Sequence, residues 1–182
     1  KNAKSSSGAV AANYGPSAKV VAAKGPVRKG YWGDWGNWVK CPNGSYVAGF
    51  RQKIQPKQGK KKDDSALNGI QVVCRTYSGM EIGRKTPKIG PKGEWTQFAS
   101  CKTGQFIQSY KMKLEGKQGG RRDDTAANMI EFVCSDGRRI NPMLKKNQPS
   151  WGKWRNGQRC PAGSVVAEVR TRVEKYPHPK DY

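Results

Sequence analysis

The chain has 182 residues, with 35 lysines and arginines against 13 acidic residues and a net charge of +22. The length suits one domain, and no apolar run approaches the roughly 18 residues that a membrane-crossing helix needs. A surplus this large exceeds what solubility requires and calls for a polyanionic neighbour: nucleic acid, anionic lipid, or an acidic or sulfated polysaccharide. With 22 Gly, 11 Pro and 6 Trp set among short apolar runs, and no window with a helical apolar period, the composition reads as all-β with many turns.

The chain opens on "KNAKSSSGAVAANYGPSAKVVAAKGPVRKG", rich in Ser, Ala, Gly and Lys. Residues 1–18 read as a flexible basic tail, and beginning on Lys1 rather than Met fits a processed chain. From "AKVVAAKG" the chain is expected to enter the first sheet. Residues 19–182 then form a single domain of repeat units at about 19–78, 79–138 and 139–182.

Each unit begins with a Trp-bearing segment that ends in cysteine: "YWGDWGNWVKC", "KGEWTQFASC" and "SWGKWRNGQRC". A turn follows ("PNG", "KTG", "PAG"), then a stretch such as "SYVAGFRQKI" or "VVAEVRTRV" whose alternation marks a half-buried strand. The first two units continue with "KQGKKKDDSALNGIQVVC" and "KQGGRRDDTAANMIEFVC", each a basic run, an aspartate pair and a closing strand.

The cysteines count as the units do. Cys41 and Cys74 are 33 residues apart, as are Cys101 and Cys134, and like positions recur after 60, 60 and 59 residues. A period this long marks a repeat architecture. The simplest pairing is Cys41–Cys74 and Cys101–Cys134, set against the alternative of five reduced, buried thiols. Bridges of this kind belong to an oxidising compartment, so the expectation is a secreted, extracellular protein. Cys160 is left over: its expected partner falls beyond Tyr182, the third unit is cut short, and a dimer linked through Cys160 is the alternative expectation.

Together, "WGDWGNWVKCPNGSYVAGF", "DDSALNGIQVVC", "QGGRRDDTAANMIEFVCSDG" and "SWGKW" resemble the vitelline membrane outer layer protein I family, over about residues 31–182. The resemblance implies a β-prism of three Greek-key sheets around a pseudo-threefold axis, one sheet per unit. It also implies an extracellular setting and a link to N-acetylglucosamine-type oligosaccharides. The large positive charge, the N-terminal extension and the shortened third unit depart from the family pattern.

Asp64 and Asp124 are the weak candidates for catalytic carboxylates. Neighbours on an extended chain point to opposite faces, so Asp63 and Asp64 are poor partners for each other. An Asx-type turn ahead of the closing strand, with Lys60, Lys61, Lys62, Arg121 and Arg122 keeping the carboxylates ionised, is the better reading. The pairs do not follow an EF-hand loop, and no CxxC or His cluster suggests zinc, so no metal or cofactor is called for. Trp35, Trp95 and Trp154, each six residues before its cysteine, are expected in the core, one per sheet. Trp32 and Trp151 are the candidates for stacking on sugar, with Lys60, Lys61, Lys62, Arg121 and Arg122 as the candidate ligand-binding cations.

These residues favour a secreted, non-enzymatic matrix or coat protein that binds acidic or sulfated polysaccharide, or acidic matrix proteins. No nucleic-acid motif is present. The alternatives are a transferase or hydrolase acting on N-acetylglucosamine oligosaccharides, and a cationic host-defence protein. The single His178 lies in "KYPHPKD" without a nucleophile motif, which argues against a Ser-His or Cys-His enzyme.

Overall fold

Alternation sets the long strands. In Ser45–Ile54 the side chains of Phe50, Gln52 and Ile54 are buried, while Arg51 and Lys53 between them face outward. Ile107–Leu114 and Ser164–Val173 repeat this order, with Tyr110 and Met112, then Val169 and Thr171, turned inward. Each strand therefore carries one apolar face and one basic face.

The computed structural model describes residues 6–13, 20–24, 33–57, 67–115 and 127–174, the first two stretches as backbone. In chain order the strands are β1 (Ser6–Asn13), β2 (Val20–Lys24), β3 (Asp34–Trp35), β4 (Val39–Lys40), β5 (Ser45–Ile54), β6 (Leu67–Thr76) and β7 (Glu81–Lys85). They continue with β8 (Glu94–Trp95), β9 (Ala99–Ser100), β10 (Ile107–Leu114), β11 (Ala127–Cys134), β12 (Arg139–Ile140), β13 (Lys153–Arg159) and β14 (Ser164–Val173). There is no helix among the described residues.

The strands form three antiparallel sheets. One runs β7-β6-β5-β8 with β9 also on β5, a second runs β12-β11-β10-β13, and the third runs β2-β1-β14-β3 with β4 also on β14. The sheets are offset from the sequence units. The Trp-bearing segment of each unit pairs with the long strand of the unit before it: β8 and β9 with β5, β13 with β10, and β3 and β4 with β14. The third sheet is thus built from both ends of the described chain, with β1 holding the place beside β14 that β6 and β11 hold beside β5 and β10. Both β1 and β2 belong to this third sheet, so "AKVVAAKG" does not enter the sheet of the first unit as expected.

The pseudo-threefold repeat extends to single hydrogen bonds. Ala48, Gln108 and Ala167 are each skipped in the pairing of their strands, a bulge at the same place in all three sheets. A bulge re-aims its carbonyl, and each one is taken by a cysteine N–H: Cys101 to Ala48 at 2.7 Å, Cys160 to Gln108 at 2.8 Å and Cys41 to Ala167 at 3.0 Å. Cys41–Cys74 and Cys101–Cys134 form disulfides, each spanning 33 residues, and close the first two sheets. Cys160 is buried and belongs to neither bridge.

Inside the prism, Phe50, Ile54, Ile70, Ile107, Ile130 and Val169 join in one apolar core. The rings of Phe50 and Phe132 meet edge to face with centroids 4.5 Å apart. Gln52 lies wholly buried among them. Its amide donates to the Pro142 carbonyl at 2.8 Å and to Asn141 at 3.1 Å, and its Oε1 accepts the Ile130 N–H at 2.9 Å. One polar side chain thereby fastens the β5 sheet to the β11 sheet.

Candidate functional site

The basic outward faces are the chemically distinctive surfaces of this prism. Each long strand carries two cations at alternate positions: Arg51 and Lys53 on β5, Lys111 and Lys113 on β10, Arg170 and Arg172 on β14. The second cation of each pair lies directly across from a tryptophan on the neighbouring strand: Lys53 from Trp95, Lys113 from Trp154, Arg172 from Trp35. Residues opposed in an antiparallel pair share a face. These tryptophans therefore stand on the outside of the sheets, which corrects the expectation that they are core residues. None of the three is buried.

On two faces the first cation is clamped between rings. The Arg170 guanidinium lies 4.4 Å from the Trp35 centroid and 4.5 Å from that of Trp38. Arg51 lies 4.5 Å from Trp95 and 4.8 Å from Phe98, and Arg84 covers the ring of Phe98 at 4.3 Å. A planar guanidinium stacks on an aromatic face by cation–π attraction and dispersion. Burial, and then the nearby charge of Arg84, push the Arg51 guanidinium below its ordinary pKa. The second cations are held too: Lys53 donates to the carbonyls of Gly90 and Pro91 at 3.0 and 2.9 Å, and Arg172 to that of Gly33 at 2.7 Å.

The β10 face lacks these fastenings. Lys111 stands where the others have arginine, and Gly157 stands where they have Trp38 and Phe98. A side chain at Gly157 would meet the Tyr110 backbone oxygen at 2.3 Å and its ring at 2.6 Å, so no second ring fits there. Among the described residues, the Lys111 and Lys113 ammonium groups make no hydrogen bond or ion pair, and Trp154 is 39% exposed. Glu131, across from Lys111 on β11, turns to Arg139 at 3.8 Å.

Of the residues singled out in the sequence, Trp151 is half-buried, with the Lys57 ammonium 5.5 Å from its ring centroid. Trp32, Lys60, Lys61, Lys62, Asp63, Asp64, Arg121, Arg122, Asp123 and Asp124 lie outside the described residues. The described residues contain no cluster of His, Cys, Asp and Glu able to hold a metal ion, and no helix long and apolar enough to cross a membrane. The ring-and-guanidinium clamps escaped the sequence reading. Their signal is a column through the units: ten residues after each first cysteine stand Arg51, Lys111 and Arg170, and three residues before it stand Trp38, Phe98 and Gly157.

Three antiparallel sheets related by a repeated bulge, with the core enclosed between them, define a β-prism. The chain belongs to the family Vitelline membrane outer layer protein I (VOMI), which matches residues 24–181. It is 35% identical over 146 residues to the vitelline membrane outer layer protein 1 homolog of Homo sapiens, an alignment covering 78% of this chain and 68% of that protein. The Mus musculus homolog is 34% identical over 148 residues, covering 80% and 70%. Among solved structures, the artocarpin–mannopentose complex is similar at a TM-score of 0.40 and 14% identity, covering 84% of this chain and 98% of that one. A mannose-binding lectin from Champedak is similar at 0.38 and 10%, covering 81% and 100%.

Proposed function

We propose that this chain is a secreted, non-enzymatic coat or matrix protein that binds acidic or sulfated glycans through its basic surface. One observation carries the reading. With 35 basic and 13 acidic side chains, pairing every acid would still leave a surplus of 22 positive charges. Self-repulsion of that size is tolerated where an anionic partner offsets it. The two disulfides support an oxidising, extracellular setting. Segments 58–66 and 116–126, which carry Lys60, Lys61, Lys62, Arg121 and Arg122, contribute to that surplus.

Retention on heparin-agarose tests this reading. The protein should bind at low ionic strength and elute before 1 M NaCl, where the screening length falls to about 3 Å. Passage through the column at low salt would overturn it. Incubation with chito-oligosaccharides should leave their length distribution unchanged, and turnover would overturn the non-enzymatic part.

A further inference from the structure

We infer that the outward face of the β10–β13 pair is a specific seat for an anionic sugar chain, with Trp154 as the stacking platform and Lys111 and Lys113 as the acid-group contacts. This rests on the glycan-binding reading above and names the place and the ligand class. The pseudo-threefold symmetry of the prism is broken at this face. Three equivalent tryptophans stand opposite three equivalent cations, and on two faces the rings and the cations satisfy one another. On the third face they do not.

Trp154, 39% exposed on an edge strand, keeps apolar area in water that the equivalent Trp35 and Trp95 cover with arginine. The neighbouring faces show how covering is done: an arginine, and a second ring three residues before the cysteine. Here the arginine is replaced by Lys111 and the second ring by Gly157, whose space the Tyr110 backbone and ring occupy. Trp154 is thus left with an open face, and Lys111 and Lys113 with ammonium groups uncommitted among the described residues. The two lysines project from the same side of β10 about 7 Å apart along the strand. Trp154 lies directly opposite Lys113, and Asn156 opposite Lys111. The acid paired across from Lys111, Glu131, is drawn to Arg139. Arg159, across from Ser109 and donating to Gln108 at 2.9 Å, adds positive charge at the end of the same row.

The ligand class follows from these groups. An indole face takes the C–H face of a sugar ring. Two ammonium groups in line, with strong hydration and no planar fork, suit sulfate or carboxylate groups spaced along a chain as point charges. A neutral sugar would leave both lysines unused, and a polyanion without rings would leave the indole exposed. A sulfated or uronate-bearing oligosaccharide uses all three.

The test is titration of a heparin-derived tetrasaccharide into the whole chain at fixed low salt, read by tryptophan fluorescence and calorimetry. Trp154→Ala and the double variant Lys111→Ala/Lys113→Ala should each weaken binding about tenfold. A charge-matched control, Lys102→Ala/Lys145→Ala, removes two exposed lysines elsewhere and should weaken it about twofold. Near-UV circular dichroism checks folding, and Trp154→Phe, which keeps an aromatic face, should recover most of the affinity. If the native chain binds but all these variants bind alike, the seat is not on this face and the wider glycan-binding reading stands. If the native chain does not bind the tetrasaccharide, the wider reading falls with it. If a polyglutamate of matched length binds as tightly and depends equally on Trp154, the face takes anionic peptide and the sugar assignment is overturned.

Discussion

Gly93 is pressed against the backbone of Ile54. A Cβ built on Gly93 would meet the Ile54 carbonyl carbon at 2.7 Å and the Gln55 nitrogen at 2.8 Å, and Gly93 has a φ of +97°. The same contact recurs at Gly33 against Val173 and at Gly152 against Leu114. In each case the glycine lies two residues before a tryptophan, and it lets the Trp-bearing segment close onto the end of the long strand. Gly93→Ala should therefore cost about 3 kcal/mol, combining left-handed strain with backbone collision. Gly44 also has positive φ, at +76°, but has open space around it. Gly44→Ala should cost about 1 kcal/mol, from strain alone. Urea unfolding of the two variants checks this, and equal losses would show that the Ile54 contact is unimportant.

The clamp on Arg51 makes a second, contrasting pair of expectations. Arg51→Lys removes a planar cation from between Trp95 and Phe98, and the unfolding free energy should fall by about 1 kcal/mol. Lys111→Arg inserts that group where Gly157 offers no second ring, so it should change stability by less than about 0.5 kcal/mol. Chemical denaturation of both variants under one buffer decides the point. A loss at position 111 as large as that at position 51 would mean that the stacked geometry contributes nothing.

Gln52 is a polar residue in an apolar core, and its worth lies in three partners. Gln52→Leu fills a similar volume but strands the buried Ile130 N–H and the Pro142 carbonyl. Leaving such groups unpaired costs about 1–3 kcal/mol each. We expect a loss of roughly 3 kcal/mol, with faster hydrogen exchange at Ile130 than in the native chain. Native-like protection of Ile130 in Gln52→Leu would show that another group satisfies it.

Much of this architecture was legible in the residues. The 60-residue period, the cysteine pairing and the alternation of β5 and β14 all follow from local rules of strand geometry and spacing. Asn68 and Asn128 had a signal too. Both occupy the same place in the repeated eighteen residues, and both prove to be buried residues skipped in their strand pairings. Tryptophan placement did not follow from those local rules. Trp35, Trp95 and Trp154 read as core because large aromatics usually bury their area, yet on two of the three outer faces arginines do the covering. That outcome depends on cross-strand register between units, which single-strand patterning does not contain. For the same reason the offset between units and sheets, and the return of β1 to β14, left no local signal in the residues.

The register of β1 makes one further expectation sharp. Cys74 lies opposite Val47 and Cys134 opposite Ile107, in each case six residues after the cysteine that it bridges. In the third sheet the residue six after Cys160 is Val166, and the position opposite it is Ala11. Just beyond that pair, the bulge at Ala167 repeats those at Ala48 and Gln108, so Ala11 occupies the place of a missing half-cystine. Ala11→Cys should therefore oxidise with Cys160 without a change of fold. Non-reducing intact mass would show the loss of two hydrogens, and peptide mapping would show the introduced thiol joined to Cys160. Such a link closes most of the chain into one loop, so it should stabilise by up to about 4–5 kcal/mol against a reduced control. Placing the cysteine one residue away, as Ala12→Cys, shifts it to the other face of the strand and should leave both thiols reduced. If Ala11→Cys stays reduced, or if Ala12→Cys bridges equally well, β1 does not pair with β14 in this register.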